Sequence, residues 1–358
     1  MSVSHPLHAG ARRRGLVAAA VACGSGYVLG QAGLPAGHLF AGLVVGMGLA
    51  LATPADVRVS PRMYTAAQAL LGGAIGSLAQ SGSTGSGSVV LLLPVVIATM
   101  VVLSLAAGEL LARCARVARS TALLGMVAGG SVAVVAAADE TGADARVVAV
   151  LQYLRVGLVA ATAPLVTYLL LGAHTQHNAV RPPSLKDSVI GVGILACVAL
   201  AGPWLGRRVR MPTAALAGPM VLGVGLGWAG AFHDAPVPPT VTAVALPVIG
   251  LEIGLRFDRT TLRSLSRMAP AACGLTAAIM LACALLGEIL SLLTGISPVD
   301  GYLMTTPGGI NAVLGAAVSM SGINVALVAV AQILRLLTMI LFVPALVRRL
   351  TRAREATA

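Results

Sequence analysis

Two arginines lie deep inside apolar stretches, and their chemistry is the most demanding in the sequence. Arg155 and Arg335 each follow a glutamine by three residues, Gln152 and Gln332, so each Gln–Arg pair shares one face of a helix. Each arginine is about eleven or twelve residues into its apolar segment, near the centre of a bilayer, where insertion of an arginine costs roughly 2.5–3.5 kcal/mol. A residue type that is so costly to insert requires a compensating role.

Two roles are open for these arginines. A guanidinium group inside a membrane can bind an anionic solute or act as a mobile counter-charge during transport. It can also brace the fold by binding backbone carbonyls or by pairing with a carboxylate, for which Glu109 and Glu288 are the candidates. An arginine at a matched position in two copies suits either role.

The apolar segment before each arginine contains paired glycines, which break a helix. Bare backbone is costly in hydrocarbon, so such a break persists only inside protein or beside a water-filled cavity. Amides freed at the start of a half-helix suit an anion, although small residues also serve close helix packing. With the two Gln–Arg pairs, the predicted solute site comprises Gly129 and Gly130 in the first copy and Thr305, Thr306, Pro307, Gly308, Gly309 and Asn311 in the second.

Glu252 is a carboxylate within an apolar segment, and its counterpart in the first copy is Ala74. A charged residue in only one copy could be a site for a coupling proton or cation. It could equally form an ion pair with Arg256, one helical turn away. Both interpretations remain open at the level of sequence.

Composition excludes a soluble protein, because 57% of the residues are hydrophobic and only 10% are charged, against about 25% in soluble domains. The net charge of +12 is carried by short basic clusters between apolar segments, which is typical of cytoplasmic loops rather than of nucleic-acid binding. The six histidines and five cysteines are scattered without ligand spacing. We therefore predict no metal, no cofactor and no enzymatic activity.

An internal repeat sets the architecture. The Gln–Arg pairs recur at an offset of 180, the paired glycines at 179, and Gly72-xxx-Gly76 recurs as Gly250-xxx-Gly254 at 178. Each half contains six apolar segments. The predicted organisation is a cytoplasmic tail (1–13), a first membrane repeat (14–173), a linker (174–187), a second membrane repeat (188–347) and a basic cytoplasmic tail (348–358).

The distribution of basic residues predicts the topology. If the glycine-broken segment of each half is re-entrant, 20 of the 24 Lys and Arg residues are cytoplasmic and only Arg181 and Lys186 lie outside. The fold class is then an all-α integral membrane protein of two inverted repeats, with about ten transmembrane helices and two re-entrant or broken helices. In a related alternative, the broken segments cross the membrane as unwound helices and another segment of each half does not cross. The two halves would then still be inverted relative to each other.

The motif Thr305-Thr306-Pro307-Gly308-Gly309, followed by Gln332-x-x-Arg335 and Pro344, resembles the membrane AbrB family across nearly the whole chain. The first copy departs from this pattern, with Met126-Val127-Ala128 before its glycines. The resemblance implies a tandem duplication, and the family has carried the labels of gene-expression regulator and of ammonia monooxygenase. At fold level it is similar to the cation–proton antiporter and anion transporter superfamily, whose inverted five-helix repeats contain crossed, broken helices.

The function we expect is secondary transport of a small polar or anionic solute by alternating access around the broken helices. The alternative is a membrane-embedded sensor or regulator that binds a solute without transport and affects gene expression indirectly. The expected partners are the solute and the lipid bilayer, without direct nucleic-acid contact, and a homodimer is compatible with the sequence. The expected location is the inner membrane of a bacterium, with both termini cytoplasmic.

Overall fold

The computed structural model describes residues 6–31, 37–52, 57–78, 87–128, 134, 138, 141–169, 185–211, 213–233, 235, 237–257, 268–320 and 322–355. Helices dominate these ranges. In chain order they are α1 (Pro6–Gln31), α2 (Gly37–Ala52), α3 (Pro61–Ser77), α4 (Gly87–Ala115), α5 (Arg119–Met126), α6 (Ala145–Leu169), α7 (Leu185–Arg208), α8 (Ala214–Trp228), α9 (Pro239–Gly254), α10 (Ala269–Thr294), α11 (Pro298–Thr305), α12 (Ile310–Val318) and α13 (Val325–Glu355).

Five of the helices in the described ranges, α4, α6, α7, α10 and α13, are long and apolar enough to cross a membrane. Three shorter helices, α2, α8 and α9, are also apolar. The prediction of an all-α membrane protein is therefore confirmed. The number of crossings, ten in the sequence-based topology, stays a prediction.

Both predicted tails contain helix. Helix α1 begins at Pro6, a residue favoured at the first helical position, and α13 continues to Glu355 through a run of strong helix formers. Helix α7 begins at Leu185, within the predicted linker, whose residues up to 184 lie outside the described part of the chain.

The chain divides into two compact units, and each unit draws helices from both sequence halves. Unit 1 comprises Met1–Thr84, Ala160–Asp258 and Asn311–Ala326; unit 2 comprises Gly85–Val159, Arg259–Ile310 and Leu327–Ala358. The first three helices of each half fall in unit 1, and the half-helices α5 and α11 fall in unit 2. The two compact units therefore do not coincide with the two sequence halves.

Glycines set two matching helix crossings in unit 1. A Cβ atom on Gly72 of α3 would lie 2.2 Å from the carbonyl oxygen of Leu216 in α8, and one on Gly250 of α9 would lie 2.1 Å from that of Leu39 in α2. Only glycine allows backbones to approach so closely, as at small-residue interfaces in membranes. Gly250 lies 178 residues after Gly72, and Leu216 lies 177 residues after Leu39. Equivalent positions of the two halves therefore make equivalent helix contacts.

Two half-helices in unit 2 end in the same way. Helix α5 ends at Met126 and α11 ends at Thr305, and the next residues are extended, with φ −73° and ψ 129° at Val127 and φ −57° and ψ 124° at Thr306. These two residues are 179 positions apart. The helix breaks expected from the paired glycines are thus present, and each begins two residues before the first glycine.

Candidate functional site

The Gln–Arg pair of the first copy binds the end of α5. Gln152 Nε2 donates hydrogen bonds to the carbonyl oxygens of Leu124 at 2.8 Å and Val127 at 2.9 Å. Arg155 Nη1 donates to the oxygens of Val127 at 2.7 Å and Met126 at 3.3 Å. The last carbonyls of a helix have no amide partner within it, and in an apolar interior they need one. The Gln–Arg pair supplies that partner.

The second copy repeats this arrangement at α11. Gln332 Nε2 donates to the oxygen of Leu303 at 2.7 Å, and Arg335 donates through Nη1 to Thr306 and through Nη2 to Gly308 at 2.9 Å. All four side chains of the two Gln–Arg pairs are buried. Bracing of the broken helices by carbonyl binding, one of the two roles open from sequence, is therefore what the contacts show.

The two copies differ in one hydrogen bond. Arg155 Nη2 donates to Gln152 Oε1 at 2.6 Å, so the first pair is closed on itself. In the second copy the corresponding nitrogen of Arg335 binds Gly308 instead, and Gln332 Oε1 is buried with no partner in the described ranges. The second copy therefore keeps a buried acceptor available.

The positive charges of the two arginines are not neutralised by the described residues. Arg155 is 3% exposed and Arg335 is 2% exposed. Neither forms a salt bridge with a described carboxylate, and the Nε atom of each is buried without a partner there. Of the carboxylates considered from sequence, Glu109 pairs with Arg119 at 2.6 Å, and Glu288 is exposed.

The threonines at the second break use their hydroxyl groups locally. Thr305 Oγ1 donates to the carbonyl oxygen of Cys283 at 2.7 Å, and Thr306 Oγ1 donates to that of Tyr302 at 2.6 Å. Both are buried, as are Pro307 and Gly308. Each hydroxyl oxygen remains an acceptor, but its proton is committed to the fold.

Gly309 brings the second break against the helix of the first arginine. A Cβ atom there would lie 3.3 Å from Cγ1 of Val156, the residue after Arg155. Sequence reasoning did not identify Val156, because an isolated valine in an apolar helix has no distinguishing pattern. The contact places the break of one copy beside the Gln–Arg helix of the other within unit 2.

Asn311 and Glu252 belong to unit 1. Asn311 Nδ2 donates to the hydroxyl of Tyr64 at 3.2 Å, a pairing across 247 residues that no sequence signal revealed. Glu252 Oε1 accepts from Arg256 Nη2 at 3.0 Å, as in one of its two interpretations. Gly129 and Gly130 lie outside the described residues.

One contact bears on whether the first broken segment is re-entrant. The backbone amide of Asp144, just before α6, donates to Thr121 Oγ1 in the first turn of α5 at 3.0 Å. Helix α5 and the start of α6 then run side by side as far as the contacts of Gln152 and Arg155. The start of α5 and the start of α6 therefore lie at the same end of unit 2, and the re-entrant course of the segment between them stays a prediction.

Fold and site together define a helical membrane protein with two broken helices, each held at its carboxyl end by a buried Gln–Arg pair. The family model described as "Transition state regulatory protein AbrB" matches residues 38–351, and the chain belongs to this family. It is 33% identical over 329 residues to "Putative regulator AbrB" of Escherichia coli (strain K12), covering 88% of this chain and 89% of that protein. It is 24% identical over 363 residues to "Uncharacterized protein YhjN" of Bacillus subtilis (strain 168), covering 92% and 91%.

Proposed function

We propose that this protein is a secondary transporter that moves a small anionic or polar solute by alternating access around its broken helices. The observation that carries the proposal is the pair Arg155 and Arg335, two buried cations that form no ion pair with a described carboxylate and whose Nε atoms have no described partner. A buried charge is costly unless it is paired. A bound anion would reduce that cost, and broken helices are where secondary transporters bind their solutes.

The second copy is the better candidate for direct solute contact. Its pair presents a donor, Arg335 Nε, and an acceptor, Gln332 Oε1, that have no described partner, whereas the first pair leaves only Arg155 Nε. A solute suited to the second pair carries an anionic group for the guanidinium and a hydroxyl, amine or amide donor for the glutamine.

The chain passes between the two units next to these groups. One passage falls after Val159, four residues beyond Arg155, and another after Ile310, next to Gly309. Rearrangement of the two breaks is therefore our proposed gating step.

A membrane sensor that binds its solute without transport is the second candidate. It is favoured by the relative that carries the name "Putative regulator AbrB". For either function we expect no enzymatic role and a location in the inner membrane of a bacterium, with both termini cytoplasmic. In either case the expected partners are the solute and lipid, without direct nucleic-acid contact, and a homodimer remains compatible.

A thermal-shift screen of the purified chain against phosphate, sulfate and small mono- and dicarboxylates tests the site. We expect at least one anion to stabilise the wild-type protein. Arg335→Gln should weaken that binding at least about 10-fold, since a charge-assisted hydrogen bond contributes about 1.5–3 kcal/mol. Arg155→Gln is the matched control and should weaken binding less.

The same variants separate binding from bracing. A folded Arg335→Gln protein with unchanged anion affinity would assign the arginine to bracing alone. A proteoliposome assay then distinguishes the two functions: a transporter shows flux of the bound anion, and a sensor shows none under any ion gradient.

A further inference from the structure

Two runs of arginine that are far apart in sequence meet at one end of unit 2. Arg119, the first residue of α5, donates through Nη1 to the carbonyl oxygen of Leu350 in α13 at 2.6 Å, across 231 residues. This hydrogen bond brings the α4–α5 junction beside the end of α13. The group, termed the basic cluster below, consists of Arg113, Arg116, Arg119, Arg348 and Arg349.

Carboxylates neutralise only part of the basic cluster. Glu109 accepts from Arg119 Nε at 2.6 Å and from Arg113 Nη2 at 3.3 Å, yet the side chain of Arg113 remains 68% exposed. Arg116 and Arg349 are exposed and form no ion pair with a described residue. The cluster therefore presents positive charge to its surroundings.

Asp144, an acidic residue that contacts α5, serves a helix terminus. Asp144 lies beside Thr121 in α5, and its Oδ1 accepts from the backbone amides of Arg146 at 2.9 Å and Val147 at 3.2 Å. These contacts cap the start of α6. Asp144 is thus committed to its own helix rather than to the arginines.

Exposed apolar side chains lead to the basic cluster along both membrane helices. Leu110 is 48% exposed and precedes Arg113 by three residues on α4. Phe342 is 66% exposed and precedes Arg349 by seven residues, two turns earlier on the same face of α13. A ligand with a charged head and an apolar tail fits an apolar helix face that leads to a basic cluster better than a soluble anion does.

We propose that the basic cluster is a binding site for the phosphate headgroup of an anionic phospholipid, with its acyl chains along the faces of Leu110 and Phe342. Arginine binds phosphate oxygens through paired N–H groups, and basic residues at the membrane surface recognise anionic lipids in this way. The site is independent of the proposed solute site. Bound lipid would tie the α4–α5 junction, where the first broken helix begins, to α13, which carries the second Gln–Arg pair.

Native mass spectrometry of the detergent-purified full chain tests this proposal. The protein is titrated with dioleoyl phosphatidylglycerol, and dioleoyl phosphatidylcholine serves as the neutral lipid. The test variant is Arg116→Gln/Arg349→Gln. The control variant, Arg207→Gln/Arg210→Gln, also removes two exposed arginines, and Arg210 shares the positive φ of Arg116, 56° against 52°.

We expect the test variant to bind phosphatidylglycerol about 30-fold more weakly, since two arginines near an anionic surface contribute about 2 kcal/mol together. The control variant should stay within about 2-fold of wild type, as should Arg116→Lys/Arg349→Lys, which keeps the charges. Equal losses in the test and control variants would overturn the proposal, because attraction would then depend on net charge alone. Equal binding of the neutral lipid, or displacement of the lipid by millimolar inorganic phosphate, would also overturn it.

Discussion

The difference between the two Gln–Arg pairs predicts a difference in stability. Gln152→Met and Gln332→Met each remove an amide that donates to half-helix carbonyls, and the leading donor distances are similar, 2.8 Å and 2.7 Å. Only Gln152 also accepts from its arginine, at 2.6 Å. Gln152→Met therefore leaves a buried guanidinium nitrogen without its acceptor, whereas Gln332→Met does not.

The size of the effect follows from that one hydrogen bond. A hydrogen bond to a charged group contributes about 1.5–3 kcal/mol in soluble proteins, and side-chain hydrogen bonds inside a membrane protein contribute about 0.6 kcal/mol on average and at most about 1.7. We expect Gln152→Met to lower the free energy of unfolding by about 1–2 kcal/mol more than Gln332→Met. In a double-mutant cycle, the coupling of Gln152 with Arg155 should exceed that of Gln332 with Arg335.

Unfolding in mixed micelles with increasing dodecyl sulfate, followed by far-ultraviolet circular dichroism, measures these free energies. Tryptophan fluorescence is unsuitable because Trp204 and Trp228 both lie in unit 1, whereas the pairs lie in unit 2. Equal losses of unfolding free energy in the two variants, or a larger loss in Gln332→Met, would refute the inference that only the first pair has a hydrogen bond between its glutamine and its arginine.

Two further predictions concern unit 1. Gly250→Ala and Gly72→Ala should each lower the free energy of unfolding by about 2–3 kcal/mol, because the new methyl group meets a backbone carbonyl. Gly48→Ala, where a Cβ atom has nothing within 4 Å, should be neutral or stabilise by up to about 1 kcal/mol in the same titration, and an equal loss there would contradict the packing argument. Glu252→Gln should change stability by only about 0.3–0.5 kcal/mol, since it removes a partly exposed i,i+4 ion pair. Loss of proton-driven solute accumulation in this variant would instead identify Glu252 as a coupling site.

The positions of the helix breaks and of the buried arginines could be predicted from the sequence, because both are local signals made stronger by repetition. Paired glycines interrupt a helix wherever it packs, and an arginine within an apolar segment has few environments open to it. Since both signals recur at offsets of 179 and 180, the equivalence of Val127 with Thr306 and of Arg155 with Arg335 follows.

The partners of these groups could not be predicted, because they depend on tertiary packing. Nothing in the sequence distinguishes Arg155, which also binds its own glutamine, from Arg335, which binds Gly308. The hydrogen bond from Arg119 to Leu350 joins positions 231 residues apart. The sequence placed both residues in basic loops or tails and gave no sign that they are in contact. Helix ends also differ from the predicted segment ends. Helix α13 continues to Glu355, beyond the apolar stretch that marks a membrane span, because arginine and alanine favour helix.

Anion flux into proteoliposomes distinguishes transport by this protein from binding without transport. The purified chain is reconstituted and exposed to concentration jumps of the anion found in the thermal-shift screen, with and without proton or sodium gradients, while uptake of the labelled anion is measured. We expect uptake by wild-type protein and loss of uptake in a folded Arg335→Gln variant. Binding of the anion without uptake under any gradient would contradict transport and leave the sensor as the function of the site.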